Sequence, residues 1–286
     1  MIRQPPILTK LWRPSPREAA SSRSNEPALP PAGWRLIAGR RELLASALLG
    51  GVLLVSEGAE AQQPPKELLR ELAANGSRFE LERGRYTYRQ RFLFQELGSK
   101  SPDGFYREVR EITFSPEGHR EEQVVGHPVD HLKRIRLTEE DFRDIRDVQP
   151  FALTQDTLWL YEFTYKGKED LEGEDCYVYR MRPRQVLEGQ RLLDGLIWIS
   201  SKHRQLVKAA GRPVPQIYKG EQENLFPQFA TVYQPIDGTF WFPVKTVASD
   251  VLPFRTGAQQ VRYVIEYENY KRFSAESSIT FDRDDP

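Results

Sequence analysis

Cysteine is nearly absent from this chain. Cys176 is the one cysteine in 286 residues, so no disulfide can form within the molecule. Stability must come from packing alone, which a chain of this length can supply. An excess of either charge is also missing, because 41 Lys and Arg balance 41 Asp and Glu. That balance gives no overall pull toward DNA, RNA or an anionic membrane, and nucleic acid is not an expected partner. Histidine is scarce, with four residues. Glycine-rich phosphate loops, a G-x-S-x-G elbow and an H-E-x-x-H helix are all lacking. A non-catalytic protein without a cofactor is the expectation. No apolar run reaches the roughly 20 residues of a membrane-spanning helix, and the mean hydropathy is -0.61.

What is present is a substantial apolar fraction. Hydrophobic residues make up 39% and aromatics 11%, enough for a sizeable core. The apolar residues first concentrate in "GRRELLASALLGGVLLVSEGAEAQQPP", from Gly39 to Pro65. Arg40 and Arg41 supply positive charge, Leu43 to Val55 form the apolar run, and Ala59-Glu60-Ala61 ends it with small residues. That layout predicts a signal peptide over 39–61, cleaved after Ala61. Gly50-Gly51 would weaken a packed helix there by about 1 kcal/mol per residue. Arg40-Arg41-Glu42-Leu43-Leu44 also resembles a short twin-arginine core, so both export routes stay open. Residues 1–38, rich in Pro, Ser and Arg, are expected to be a disordered extension. Residues 62–286 are expected to form a single periplasmic domain, unanchored because no cysteine follows Ala61 directly to take a lipid.

After Gln62 a short helix is expected over "PPKELLRELAANG", stopping at Asn75-Gly76. The period then becomes two. Tyr86, Tyr88, Phe92 and Phe94 share one face of "YTYRQRFLF"; Trp159, Tyr161, Phe163 and Tyr165 share one face of "WLYEFTY". The latter strand is expected to point Trp159, Tyr161 and Phe163 inward, with Glu162 and Thr164 in water. Val261, Tyr263, Ile265 and Tyr267 repeat the pattern in "VRYVIEY". Turn signals at "SPEG" (115–118), "EGED" (172–175) and "SKHR" (201–204) join neighbouring strands. Thr138 caps a helix over "TEEDFRDI", with Asp141 three residues on as an imperfect capping box. The fold class is therefore mainly β: a curved antiparallel sheet or incomplete barrel of about ten strands with two or three helices.

The remaining chemistry is sparse. Cys176 sits mid-strand, where a buried, inert thiol is expected. His127 and His131 have helical ligand spacing in "HPVDH", but without a third ligand nearby the expectation is a solvated loop and no metal. The acidic runs "TEEDFRDIRD" and "GKEDLEGED" read as a solvated helix face and a hairpin tip. Arg180, Arg182 and Arg184 project to one face of an extended segment, where an exposed strand face is the commoner outcome and an anionic head group the alternative.

The aromatic supply is the unusual feature. Rings along nearly every buried face suit a cavity for an apolar ligand, because they hold their shape without being packed solid. Tyr86, Tyr88, Phe92, Phe94, Trp159, Tyr161, Phe163, Trp198 and Tyr263 are the candidate ligand-binding residues. The segments "REITFSPEGHREEQVV", "LTEEDFRDIRDVQPFAL" and "GLIWISSKHRQLVKAAG" resemble distant, functionally unassigned members of the outer-membrane lipoprotein-sorting (LolA/LolB-like) superfamily. The resemblance covers residues 66–273 and lies in layout. It implies an incomplete antiparallel barrel closed by helices, with a hydrophobic cavity that shelters lipid or lipoprotein acyl chains and makes transient contacts in the envelope. The chain departs from the family in its greater mature length and in lacking the lipidation cysteine of the membrane-bound acceptor. The alternative is a structural or envelope-interaction domain whose aromatic interior is solid core.

Overall fold

The computed structural model describes residues 63–98, 102–115, 118–187, 189–219 and 222–272. The expected extension over 1–38 and the expected signal peptide over 39–61 lie outside these residues.

Leu68, Leu72 and Ala73 give the first helix, α1 (Leu68–Arg83), its buried face. The expected stop at Asn75-Gly76 does not end it; the helix runs on for two more turns. A Cβ on Gly76 would lie 2.0 Å from the Leu153 carbonyl oxygen, so glycine is what lets the helix approach that backbone. Asn75 Nδ2 donates to the Arg204 carbonyl at 2.8 Å, and Ser77 Oγ accepts from the Gln155 N–H at 3.0 Å. Tertiary contacts override the local helix-breaking preference. The second helix, α2 (Glu139–Asp147), begins as expected. The Asp141 carboxylate accepts from both the Thr138 N–H (2.6 Å) and the Thr138 hydroxyl (2.8 Å). A single 3-10 turn covers Leu158–Leu160.

The alternating stretches form long strands. On the N-terminal side these are β1 (Tyr86–Leu97), β2 (Pro102–Phe114), β3 (Arg120–Val124) and the short β4 (Val129–Asp130). The middle of the chain adds β5 (Tyr161–Leu171), β6 (Glu174–Pro183), β7 (Leu192–Ser200) and β8 (Leu206–Val214). A small separate hairpin, β9 (Ile217–Lys219) and β10 (Gln222–Asn224), precedes β11 (Phe229–Pro235), β12 (Trp241–Phe254) and β13 (Gly257–Arg272). All the main pairings are antiparallel, in the order β3-β2-β1-β13-β12-β11-β8-β7-β6-β5, with β4 also on β2. The 11-stranded sheet is open: β5 and β3 do not pair with each other. Gly195 of β7 lies opposite Gly211 of β8, and a Cβ on either would fall within 2.3 Å of a carbonyl oxygen across the pair. Such close backbone approach permits a tight bend in a strand pair.

Both helices cover one face, here called the inner face, and a single hydrophobic cluster joins them to β1, β13, β12, β6 and β7. A buried chain of hydroxyls crosses this face. Tyr267 Oη bonds Thr246 Oγ1 (3.2 Å), Thr246 bonds Thr231 Oγ1 (2.7 Å), and Thr231 donates to the Gln149 carbonyl (2.8 Å). Tyr233 Oη donates to the Phe151 carbonyl at 2.7 Å. These bonds pin the segment after α2 to the middle of the sheet, where a buried polar group without a partner would be costly.

Candidate ligand-binding clefts

Residues of α2 and the segment pinned behind it line two clefts on the inner face. The larger, about 650 Å³, is bounded by Phe92, Phe94 and Tyr263 of the sheet and by Ile145 and Gln149. Leu225, Phe226, Leu252 and Phe254 extend its apolar wall, and Arg134, Arg136, Asp141 and Glu223 supply its charges. Phe94 stacks on Tyr263 (centroids 6.4 Å, 19°), and Phe92 meets Tyr263, Tyr106 and Phe142 at 6.0 to 6.4 Å. One rim is rigid for an identifiable reason. The fully buried Glu96 carboxylate accepts the backbone N–H groups of Lys133, Arg134 and Ile135 at 3.0, 2.8 and 2.6 Å.

The smaller cleft, about 520 Å³, runs beside α1. Phe79, Tyr88, Phe114, Tyr161, Phe242 and Tyr270 line it together with Glu80, Arg83, Arg120, Glu122, Arg146, Asp147 and Arg191. Its ions are largely paired. Arg120 bonds Glu122 at 2.8 Å and also donates to Tyr88 Oη and Gln90 Oε1, both at 3.0 Å. Burial works against the Glu122 charge, but Arg120 and Arg110 together hold its carboxyl below the usual range. Arg191 binds the fully buried Asp144 through both carboxylate oxygens, one of them at 3.0 Å, and lies 4.5 Å over the Phe226 ring. Burial pushes the Asp144 carboxyl up despite this partner.

The structure distributes the nine candidate residues unevenly. Phe92, Phe94 and Tyr263 meet in the larger cleft, whereas Tyr88 and Tyr161 line the smaller one. Tyr86 is packed against Phe242 (4.6 Å) and donates to Asp237, lining neither. Phe163 is half-buried between Tyr161 and Tyr179 at the β5 end of the sheet. Two expectations need correction. Trp159 does not point inward: it belongs to the 3-10 turn before β5 and is 68% exposed. Trp198, although 4% exposed, lies on the outer face, opposite Val178 and Lys208 in register. There Nε1 donates to Glu169 at 2.7 Å and the Lys208 ammonium sits 4.5 Å from the ring.

The other candidates resolve in the same way. Cys176 is fully buried, and burial with nearby Glu174 and Asp175 pushes its thiol up to about 12, leaving no thiolate for chemistry. His127 and His131 flank β4 and are exposed, outside any helix. Among the described residues no three metal-ligating side chains cluster. Arg180 is paired with Asp194 and donates to the Gly195 carbonyl at 2.8 Å; Arg184 pairs with Glu162 at 3.1 Å. The acidic run at α2 is not wholly solvated, since Asp144 turns inward to Arg191. Ile145, Gln149, Leu225, Phe226, Leu252 and Phe254 were not candidates from the sequence. Only their apolar character signalled them, and for Gln149 nothing did.

Among the described residues no helix is long and apolar enough to cross a membrane. No protein-family model and no curated protein sequence matches the chain. Several solved structures are similar to it. A DUF1329 family protein from Desulfovibrio piger is 12% identical, with a TM-score of 0.39 over 75% of this chain and 96% of its own. A LolA superfamily protein from Nitrosomonas europaea is 13% identical, with a TM-score of 0.33 over 74% of this chain and 94% of its own. A domain described as an outer membrane lipoprotein-sorting protein, from Vibrio parahaemolyticus, is 8% identical, with a TM-score of 0.32 over 70% and 92%.

Proposed function

We propose that this protein is an exported, periplasmic, non-catalytic carrier that shelters a lipid or lipid-linked group in the larger cleft. One observation carries the reading: a recess of about 650 Å³ walled by Phe92, Phe94, Ile145, Leu225, Phe226, Leu252, Phe254 and Tyr263. That volume falls within the range of small-molecule sites, and its wall has the apolar, aromatic character that retains an acyl chain. Export through the 39–61 segment belongs to the same proposal, with a mature chain starting at Gln62. Native mass spectrometry of protein purified without detergent from a bacterial host tests the binding. Lipid-sized adducts that leave on mild activation are expected. A bare chain that also takes nothing from phospholipid vesicles would contradict the carrier. N-terminal sequencing of the same material tests export, and intact residues 1–38 would sink that part.

The second reading is a structural domain with a solid aromatic interior. Tyr86, Phe79, Phe242 and Tyr270 favour it, because they pack ring against ring at 4.6 to 5.0 Å. That packing is local to one end of the inner face, and the carrier reading requires only the other.

A further inference from the structure

One polar group in the wall of the larger cleft is unpartnered. Gln149 is 2% exposed, and its side-chain Oε1 makes no hydrogen bond among the described residues. Its backbone is fully used: the N–H donates to the Asp144 carbonyl at 3.0 Å, and the carbonyl accepts from Thr231. An acceptor held out of water without a donor destabilises a fold, so a glutamine at this place calls for a ligand that satisfies it.

We infer that the larger cleft selects an amphiphile whose buried end carries a neutral hydroxyl or amide N–H, which donates to Gln149 Oε1. The inference rests on the carrier reading above and specifies its ligand. The terminal torsion of a glutamine is soft, so the carboxamide can turn its oxygen toward the cleft without moving the pinned backbone. Tyr263, able to donate or accept, provides a second polar contact in the same wall. A carboxylate end brings no donor and so leaves Gln149 Oε1 unsatisfied. Asp141, also in this wall, adds like charge against it. Burial of the Tyr263 phenol raises its pKa well above the ordinary value, and Asp144 and Asp141 raise it further. Burial thus keeps the Tyr263 phenol neutral and able to donate.

The test compares two neutral esters with the same chain, monooleoylglycerol and methyl oleate, by displacement of a fluorescent acyl probe. Only the first carries hydroxyl donors, and it should bind the full mature chain about tenfold more tightly. Gln149→Leu removes the acceptor and leaves both backbone bonds. It should bind the two esters equally and melt no lower than the parent, and Gln149→Met should behave alike. Equal binding by the unmodified protein overturns this inference while leaving the carrier reading standing. A preference that survives in both variants also overturns it, because the donor is then met elsewhere. Failure of both esters to bind at all overturns the carrier reading and this inference with it.

Discussion

The two clefts share one sheet face and one dividing helix, yet they are built differently. In the smaller, guanidinium and carboxylate groups interlock: Arg120 with Glu122, and Arg191 with Asp144. In the larger, the side chains are mostly aliphatic and aromatic, and Gln149 Oε1 stands unpartnered. Strand β1 serves both, giving Tyr88 to the first and Phe92 and Phe94 to the second. The strand pattern is the same throughout. What differs is the cover: α1 lies along the ionic end, whereas the apolar end is walled by a loop held on Glu96 and by the β12–β13 hairpin. Satisfied polar networks rigidify and fill a site, and apolar walls without filling leave room for a guest. On the proposed carrier reading, the difference gives support to one cleft and binding to the other.

The largest way to break this comparison is to remove its divider. Arg191→Met leaves Asp144 buried and unpaired, and the loss should be about 3–5 kcal/mol in chemical denaturation. A change under about 1 kcal/mol would show that the pair does not hold α2 in place. Next comes a pair of truncations. Phe229 is fully buried and lines neither cleft, so Phe229→Ala should cost about 3–5 kcal/mol. Phe94→Ala borders empty space and should cost roughly half as much, while acyl-probe binding falls about tenfold or more. Equal costs with unchanged binding would favour the solid-core reading.

A smaller effect follows the proton on Asp141. Its carboxyl is raised from 3.8 to about 6, chiefly by burial, although Thr138 bonds favour the charged form. The folded protein then holds this proton more tightly than the unfolded chain does. The stabilisation is complete below the unfolded value and is lost as pH rises through about 6. Relative to the parent, Asp141→Asn should gain about 2–3 kcal/mol between about pH 4 and 7. A difference that stays flat with pH would contradict the shift. The smallest expected change is at Trp159. Trp159→Ala on the exposed turn should stay within about 0.5 kcal/mol and leave acyl binding unaltered.

Most of the sheet was legible because half-buried antiparallel strands write their facing into a period of two. Tyr86, Tyr88, Phe92 and Phe94 are buried as the alternation predicts. Where a strand is buried on both faces the signal vanishes. "GLIWIS" in β7 is apolar almost throughout, so nothing in it told that Ile197 faces inward and Trp198 outward. Trp159 misled for a different reason. Leu158-Trp159-Leu160 continues the apolar run, but Thr154 and Thr157 close a turn first, through Thr157 Oγ1 on the Thr154 N–H at 3.0 Å. The buried polar partnerships were illegible in principle. Asp144 finds Arg191 across 47 positions and Gln149 finds Thr231 across 82, distances over which local pattern carries no information. The wall of the larger cleft suffers the same limit, since Ile145, Leu225 and Leu252 come from separate parts of the chain and meet only in the folded protein.

The central claim is that the apolar cleft, and not the ionic one, holds the acyl chain. Photo-crosslinking with a diazirine-bearing fatty-acyl ester, followed by peptide mapping, tests it most directly. Labels should fall on the peptides containing Phe92–Phe94, Leu225–Phe226 and Leu252–Phe254. Labelling confined to Phe114, Leu192 or Phe242 of the smaller cleft, or spread over the outer face around Trp198, would contradict the account.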